Sequence, residues 1–295
     1  MSYQDIFKRY EMKYMLTKEQ KEVVLQAMAG YMKPDEFGRS TICNIYFDTP
    51  DYQLIRRSLE KPVYKEKLRV RSYGKAKEDG TVFVELKKKY KGVVYKRRIS
   101  TSQKEAMAYL VQDAELSKQS QITDEISYFK DMYQGLQPAV YLSYDREAFY
   151  GVEDHDLRIT FDENILWRKE DISLCSEVYG TPILEPGCAL MEIKIASAMP
   201  MWLCRVLSEN GIFQTSFSKY GRAYQTIAAE QTAAAEQTES EGANVAAAQN
   251  LNGAVADTAA AAGQRNGGTA GQIVAGQAAT KNVNRRLGGH RTRIA

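Results

Sequence analysis

The chain has 295 residues, 44% of them hydrophobic, which is enough for one large or two small domains with a real core. A formal net charge of +3 and a pI near 8.5 are only mildly basic, which argues against a nucleic-acid binder coated in positive charge. The four cysteines form no CxxC pair, and the two histidines, His155 and His290, stand too far apart for a His-based metal site, so a reducing cytoplasmic setting is expected.

The start of the chain carries no apolar secretory segment, and no run of about 18 apolar residues occurs, so neither export nor a transmembrane segment of its own is expected. A first strand is expected over 7–16, with Arg9, Glu11 and Lys13 on one face and Tyr10, Met12 and Tyr14 on the other. Thr17 and Gln20 form a capping box that opens a helix, with Val23, Val24, Ala27, Met28 and Tyr31 as its apolar stripe. Residues 43–48 read as a strand closed by Thr49 and Pro50, and 51–57 as a helical turn. In the next strand, 67–73, Arg69 and Arg71 point one way and Leu68 and Val70 the other. A hairpin follows, 81–89 and 93–99 about Tyr90-Lys91-Gly92, with Glu85 and Lys87 sharing a face. Its second arm sets Tyr95 and Arg97 against Lys96 and Arg98.

The middle reads as helical, one helix opened by a Ser102/Glu105 capping box and a second over about 123–133. Strands return over 140–149, 157–162 and 189–195, the last two separated by a longer excursion, 164–186. A helix from Pro200 ends near Asn210-Gly211, and 216–222 opens a final short helix to about Ile227. Beyond Ala229 the composition shifts to Ala, Gly, Gln, Asn and Thr, which buries too little apolar surface to offset chain entropy, so 229–295 is expected to be a disordered tail. Its weakly basic end, Arg285 to Arg293, reads as inert or as a tether.

Charged side chains recur on strand faces: Arg69/Arg71, Glu85/Lys87, Arg146 beside Tyr144, Arg158/Asp162 and Glu192/Lys194. One reading is an antiparallel sheet with one wet face. The other is a barrel whose charged interior holds a polyanion. Unpaired Lys and Arg in a dry core are excluded, because each desolvated charge costs several kcal/mol against a domain stability of about 5–15 kcal/mol. The charged face therefore meets solvent, a water-filled channel or a bound anion.

In chain order, Arg-x-Glu-x-Lys (9–13), Arg-x-Arg (69–71), Glu-x-Lys (85–87), Tyr-x-Arg (144–146), Arg-x-Thr-x-Asp (158–162), Glu-x-Lys (192–194) and Ser-Lys-Tyr (218–220) resemble the VTC domain. That is the polyphosphate polymerase domain of the triphosphate tunnel metalloenzyme (CYTH-like) superfamily, and the resemblance spans about residues 5–227. It implies an α+β fold: an antiparallel β-barrel forming a triphosphate tunnel, with helices packed outside, over 1–228. It also implies that Lys13, Arg69, Arg71, Lys87, Lys96, Arg146 and Lys219 are phosphate-binding cations, with Tyr144 and Ser218 as neighbouring contacts. Glu192 is the implied ligand of a divalent metal, manganese or magnesium, with Glu11, Glu85 and Asp162 as helpers. Lys13, Arg69, Arg71, Lys87, Arg146, Glu192 and Lys219 are the implied catalytic set.

Phosphoryl transfer asks for such a set, since it rests on positioning and charge stabilisation. Arg forks grip phosphate, Lys supplies point charges, and a hard cation takes carboxylate oxygen. Lys194 and Arg158 are left open between lining the tunnel and pairing with acids; Arg9, Lys89 and Arg98 are secondary candidates, and Lys88, Lys91 and Arg97 are expected to face solvent. Tyr10, Tyr14, Tyr46 and Phe47 are expected to pack the barrel against its helices. Superfamily hydrolases and cyclases resemble one another in a first-strand Glu-x-Glu-x-Lys; Arg9 replaces the first acid here, which favours anion binding over a two-metal hydrolase. Eukaryotic members add a regulatory domain and membrane helices that this sequence lacks, so either release of polyphosphate into the cytosol or a separate membrane partner is expected. The leading expectation is transfer of the ATP γ-phosphate to polyphosphate. Hydrolysis of tripolyphosphate or a nucleoside triphosphate, and non-catalytic polyphosphate binding, stay open. Arg69→Ala and Arg71→Ala are expected to weaken anion binding and spare folding, on the premise that these cations repel one another when no anion is present.

Overall fold

Period-2 alternation along strands and 3.6-residue stripes along helices lead here to one curled sheet with helices against it. A computed structural model describes residues 10–91 and 93–238. In chain order the elements are β1 (Tyr10–Leu16), α1 (Lys18–Met28), β2 (Met32–Pro34), β3 (Ser40–Asp48), α2 (Gln53–Leu59), β4 (Tyr64–Tyr73), β5 (Thr81–Tyr90) and β6 (Val93–Ser102). Then come α3 (Gln103–Val111), α4 (Gln121–Met132), β7 (Gln137–Gly151), β8 (Arg158–Arg168), β9 (Thr181–Pro182), β10 (Ala189–Ile195), α5 (Met201–Glu209), β11 (Gln214–Thr215) and a sixth helix, α6, over 219–238. The sheet, its cores and the site described below lie within the described residues up to Thr232.

The strands form one antiparallel sheet in the order β11-β1-β10-β8-β7-β3-β4-β5-β6, with β2 added at β7 and β9 at β8. Hydrogen bonding does not close it: among the described residues β11 and β6 are its two ends. The sheet nevertheless curls, because Lys87 Nζ on β5 lies 3.7 Å from Glu11 Oε2 on β1, near the opposite end. Side chains bridge the seam that backbone pairing leaves open.

The convex face carries two apolar cores. Ile45, Phe47, Leu68, Val70, Val84 and Leu86 pack under α3 and α4. Tyr14, Leu16, Ile159, Phe161, Met191 and Ile193 pack under α1 and α5. A third core lies on the concave face itself, where Ile42, Tyr46, Leu142, Tyr144 and Leu190 meet α2 through Ile55 and α6 through Tyr220, Ala223 and Ile227. The start of α6 therefore sits within the curl, one helix that is not packed outside. The reason lies in the sequence: Lys219, Tyr220, Ala223 and Ile227 form a helical stripe that matches the apolar end of the concave face.

Local starts follow the chemistry of their caps. Thr17 and Gln20 form the expected reciprocal box. Ser102 Oγ accepts from Glu105 N, but the Glu105 carboxylate turns away to Thr101 Oγ1 and Ser117 N, so only half of that box forms. The next helix starts two residues earlier than expected, because Ser120 and Thr123 make a box of their own. α6 continues to 238, past its expected end near Ile227. The expectations for Arg9, Gly92 and the tail beyond 238 lie outside the described residues.

Candidate functional site

β1, β10, β8 and β7 bring Lys13, Glu192, Asp162 and Arg146 together on the concave face: Lys13 pairs with Glu192 and Arg146 with Asp162, and Asp162 lies two residues along β8 from Thr160, the partner of Glu192. α6 adds Lys219 from its first turn. Asp162 is fully buried and tightly held: Arg146 donates from Nε and Nη2 to its two oxygens at 2.6 Å each, and Lys219 Nζ donates at 2.5 Å. Glu192 is held loosely, with Lys13 at 3.3 Å, Lys219 at 3.4 Å, Arg146 at 3.5 Å and Lys194 at 3.9 Å. Burial opposes the charge on both acids, but Lys219 with Arg146 or Lys13 outweighs it, so both carboxyls are held below the usual range, Glu192 far below. Burial works against the Lys219 ammonium too, and Asp162 and Glu192 more than offset it, raising its pKa.

A second centre gathers around Glu85, 1% exposed, on β5. Arg69 donates to its Oε2 from Nε at 2.8 Å and holds it from Nη2 at 2.7 Å. Arg98 reaches Oε1 at 2.8 and 2.7 Å, and Lys96 Nζ lies 2.7 Å from the same oxygen. Arg71 stands 3.9 Å away and is held by Asn44 Oδ1 at 2.9 Å and by the Tyr144 hydroxyl at 3.1 Å. Burial opposes the Glu85 charge, but Arg69 and Arg71 dominate and keep the carboxylate ionised far below its usual range. Arg69 and Arg71 thus face an acid and hydroxyls more than one another. The premise that mutual repulsion makes them expendable for folding is corrected: removing either leaves buried partners unsatisfied.

Past these centres the same face opens into a cavity of about 1650 Å³ lined by Lys61, Lys65, Lys67, Lys87, Lys89 and Lys91, among others. Lys67 is half-buried, donates to Ser218 Oγ at 3.1 Å and has no ion pair among the described residues. Desolvation, then Lys65, Lys87 and Lys13, push its pKa down to about 7. Lys65 is lowered for the same reasons, burial first and then neighbouring lysines, and among the described residues donates to the Ser58 carbonyl at 3.2 Å. The start of α6 is stitched to this rim: Lys13 Nζ donates to the Phe217 carbonyl at 3.1 Å, and Ser218 Oγ accepts from Gly221 N at 3.1 Å.

Every proposed site residue therefore lies on the concave face: Lys13, Arg146, Glu192 and Lys219 at the first centre, Arg69, Arg71 and Lys96 at the second, Tyr144 between them, Lys87 and Ser218 at the rim. Arg98, a secondary candidate, belongs to the Glu85 centre. Lys194 lines the first centre, whereas Arg158 leaves it for Asp35, 3.9 Å away. Lys88 and Arg97 pair with Glu125 of α4 on the convex side. Lys91 is exposed but forms part of the cavity rim, and Tyr10 lines it as well. Tyr46 is turned inward, stacked on Tyr220 at 4.7 Å and hydrogen-bonded by Arg69 at 3.1 Å, so it does not pack an outer helix. Sequence reasoning missed Lys65 and Lys67, although both precede Arg69 at even spacing and so share its face. It also missed Asp48, buried, which accepts from Leu54 N, Ile55 N and the Tyr220 hydroxyl and so ties α2 to α6.

For a metal, the donor set is sparse: among the described residues no group of three or more His, Cys, Asp or Glu is arranged to hold one. Asp162 and Glu85 have their oxygens taken by cations. Glu192, with only long contacts, and Glu11, 3.5 Å from Lys13 and 3.7 Å from Lys87, keep lone pairs available. These two fit a hard divalent ion whose remaining ligands are water and ligand oxygens.

A family model described as the VTC domain matches residues 8–228. No curated protein matches the chain significantly. Among solved structures, a protein provisionally named an adenylate cyclase from Bacillus halodurans is 16% identical, covering 72% of this chain and 94% of its own, with a TM-score of 0.45. A Hippeastrum adenylyl cyclase, described as having a dominant triphosphatase activity, is 15% identical over 71% of this chain and 92% of its own, with a TM-score of 0.43. A similarly named protein from Vibrio parahaemolyticus is 13% identical over 75% and 99%, with a TM-score of 0.40.

Proposed function

Given that the chain belongs to the VTC domain family, we propose that it is a phosphotransferase that moves the γ-phosphate of ATP onto a polyphosphate chain lying along the concave face. The observation that carries this reading is Lys67: a half-buried ammonium among other lysines, with the Ser218 hydroxyl and the face of the Tyr220 ring for partners and no carboxylate among the described residues, is costly unless an anion joins it.

In this reading Arg69, Arg71 and Lys96 grip phosphate oxygens from one side, and Lys13, Arg146 and Lys219 from the other. Tyr144 and Ser218 donate hydroxyl hydrogen bonds, and Lys87 with Lys67 carries the charge onward along the rim. No side chain needs to act as a nucleophile. An oxygen of the acceptor phosphate forms a bond to the γ-phosphorus while the bond from that phosphorus to the β–γ bridging oxygen breaks, and ADP departs with that oxygen. Glu192, helped by Glu11, would hold a manganese or magnesium ion, which when bound neutralises charge between phosphate oxygens. We assign the enzyme to the cytoplasm, with ATP and polyphosphate as its ligands and a separate membrane protein as the partner that would take up product; nucleic acid is not among its ligands.

The test is incubation with ATP and manganese, with products separated by chain length on a gel. A ladder of polyphosphate that disappears in Glu192→Ala supports the polymerase. Orthophosphate without chain growth overturns it in favour of hydrolysis. Thermal stabilisation by tripolyphosphate without any turnover overturns it in favour of a binding module.

A further inference from the structure

The Glu85 centre is built like an anion site that already contains its anion. Two arginine forks and an ammonium converge on one carboxylate: Arg69 on Oε2, Arg98 and Lys96 on Oε1, all at 2.7–2.8 Å, with Arg71 at 3.9 Å. Fork geometry at this range is how arginine takes hold of phosphate oxygen. An ionised carboxylate offers about four lone-pair sites, and five close donor contacts fill them. Glu85 therefore has no capacity left for a metal, unlike Glu192. It is also out of reach of water, at 1% exposure, so its charge is weakly screened.

We infer that Glu85 is an internal counter-anion: it stands in for a phosphate group among Arg69, Arg71, Lys96 and Arg98, and so limits how tightly the site holds its polyanion. The inference rests on the reading of the concave face as a polyphosphate site. Four cations face one acid here, so the centre keeps a positive excess. A phosphate arriving beside the carboxylate shares its arginines and meets its negative charge. The arrangement keeps the cations ordered and compatible with folding when no anion is present. It also weakens the bound state, which favours release of a chain that must move after each addition.

This role separates from its rivals by the sign of one effect. Glu85→Gln keeps the shape and removes the charge. The expected result is tripolyphosphate binding tighter by about tenfold or more in calorimetry, with a steeper salt dependence. The melting temperature without anion should fall and be restored by tripolyphosphate. Equal or weaker binding in the variant overturns the inference and leaves Glu85 a structural acid. Weaker binding confined to solutions containing manganese overturns it in favour of a metal ligand. Should Glu85→Gln not fold, Glu85→Asp decides: its carboxylate is too short to serve both forks, and it should bind tripolyphosphate several-fold more tightly, whereas unchanged or weaker binding overturns the inference. Failure of the wild-type protein to bind tripolyphosphate overturns the proposed function and this inference together, while wild-type binding with no gain in either variant overturns this inference alone.

Discussion

Around Asp162 and Glu192, two acids stand among Lys13, Arg146, Lys194 and Lys219, and every cation there has a carboxylate within 4 Å. Around Lys65 and Lys67, on the same concave face, no ion pair forms among the described residues, and burial with neighbouring lysines depresses both ammonium groups. In the first region each cation already meets a carboxylate. In the second the lysines meet only neutral partners among the described residues. On the proposed reading, a site that folds empty and takes a polyanion divides the work in this way: cations paired with acids where geometry is held to tenths of an ångström, and unpaired cations where the anion adds affinity.

The sharpest way to break the comparison is to remove an acid from the balanced region. Asp162→Asn leaves Arg146 and Lys219 buried with only their long contacts to Glu192, at 3.5 and 3.4 Å, and breaking a buried pair costs about 3–5 kcal/mol. Urea denaturation should show that loss. A loss below about 1 kcal/mol would mean that water or Glu192 takes over these cations and that Asp162 does not hold the region together. Lys67→Met should do the reverse. Without anion it should raise the melting temperature by about 2–4 °C, the size of a 1 kcal/mol gain in a domain of this size. Tripolyphosphate binding should weaken by about tenfold, as one charge-assisted contact is lost. A fall in both quantities would assign Lys67 to the framework.

How much of this was legible in the sequence depends on whether a feature is local. Alternation in 67–73 placed Arg69 with Arg71, and in 85–87 Glu85 with Lys87; pairing in the sheet then put both pairs on one face. The same rule reaches back from Arg69 to Lys67 and Lys65, but nothing in the spacing says which end of a strand stays inside a curl. Glu85 read as a face-mate of Lys87; that it would gather Arg69 from one neighbouring strand and Lys96 and Arg98 from the other follows from register, which a single sequence does not print. The inward seat of α6 was hidden for the same reason. Its stripe of Tyr220, Ala223 and Ile227 fits either face of the sheet until β3, β7 and β10 supply Tyr46, Leu142 and Leu190. The seam between β6 and β11 was likewise invisible, because closure of a sheet depends on shear and tilt across all of its strands.

Protonation gives a finer test. The Lys67 pKa near 7 lies below that of the unfolded chain, so the folded protein binds fewer protons than the unfolded one between about pH 7 and 10.5. Its cost to stability is fully present below pH 7 and is relieved as pH rises through 10.5. Lys96, lowered to about 8 by desolvation despite Glu85, acts in the same direction over a narrower window. A polyanion favours the charged ammonium, so tripolyphosphate binding near pH 8 should take up about one proton. Calorimetry in buffers of different ionisation enthalpy measures this directly. Uptake should shrink in Lys67→Met and vanish below about pH 6, where both lysines are already charged. Release of protons on binding would contradict the assignment of the rim as the anion-facing region.

The smallest expected effect lies on the convex face, where Glu125 of α4 meets Lys88 at 3.5 Å and Arg97 at 3.2 Å. By composition this is another acid between two cations, much like the concave centres. The difference is water: Arg97 is exposed and Glu125 half-buried, so solvent screens the pair and the long side chains lose entropy in holding it. Glu125→Gln should change stability by less than about 0.5 kcal/mol and leave tripolyphosphate affinity unaltered. An effect as large as that of Asp162→Asn would mean that burial is not what separates the two faces, and that acid–cation proximity alone sets the energetics of this fold.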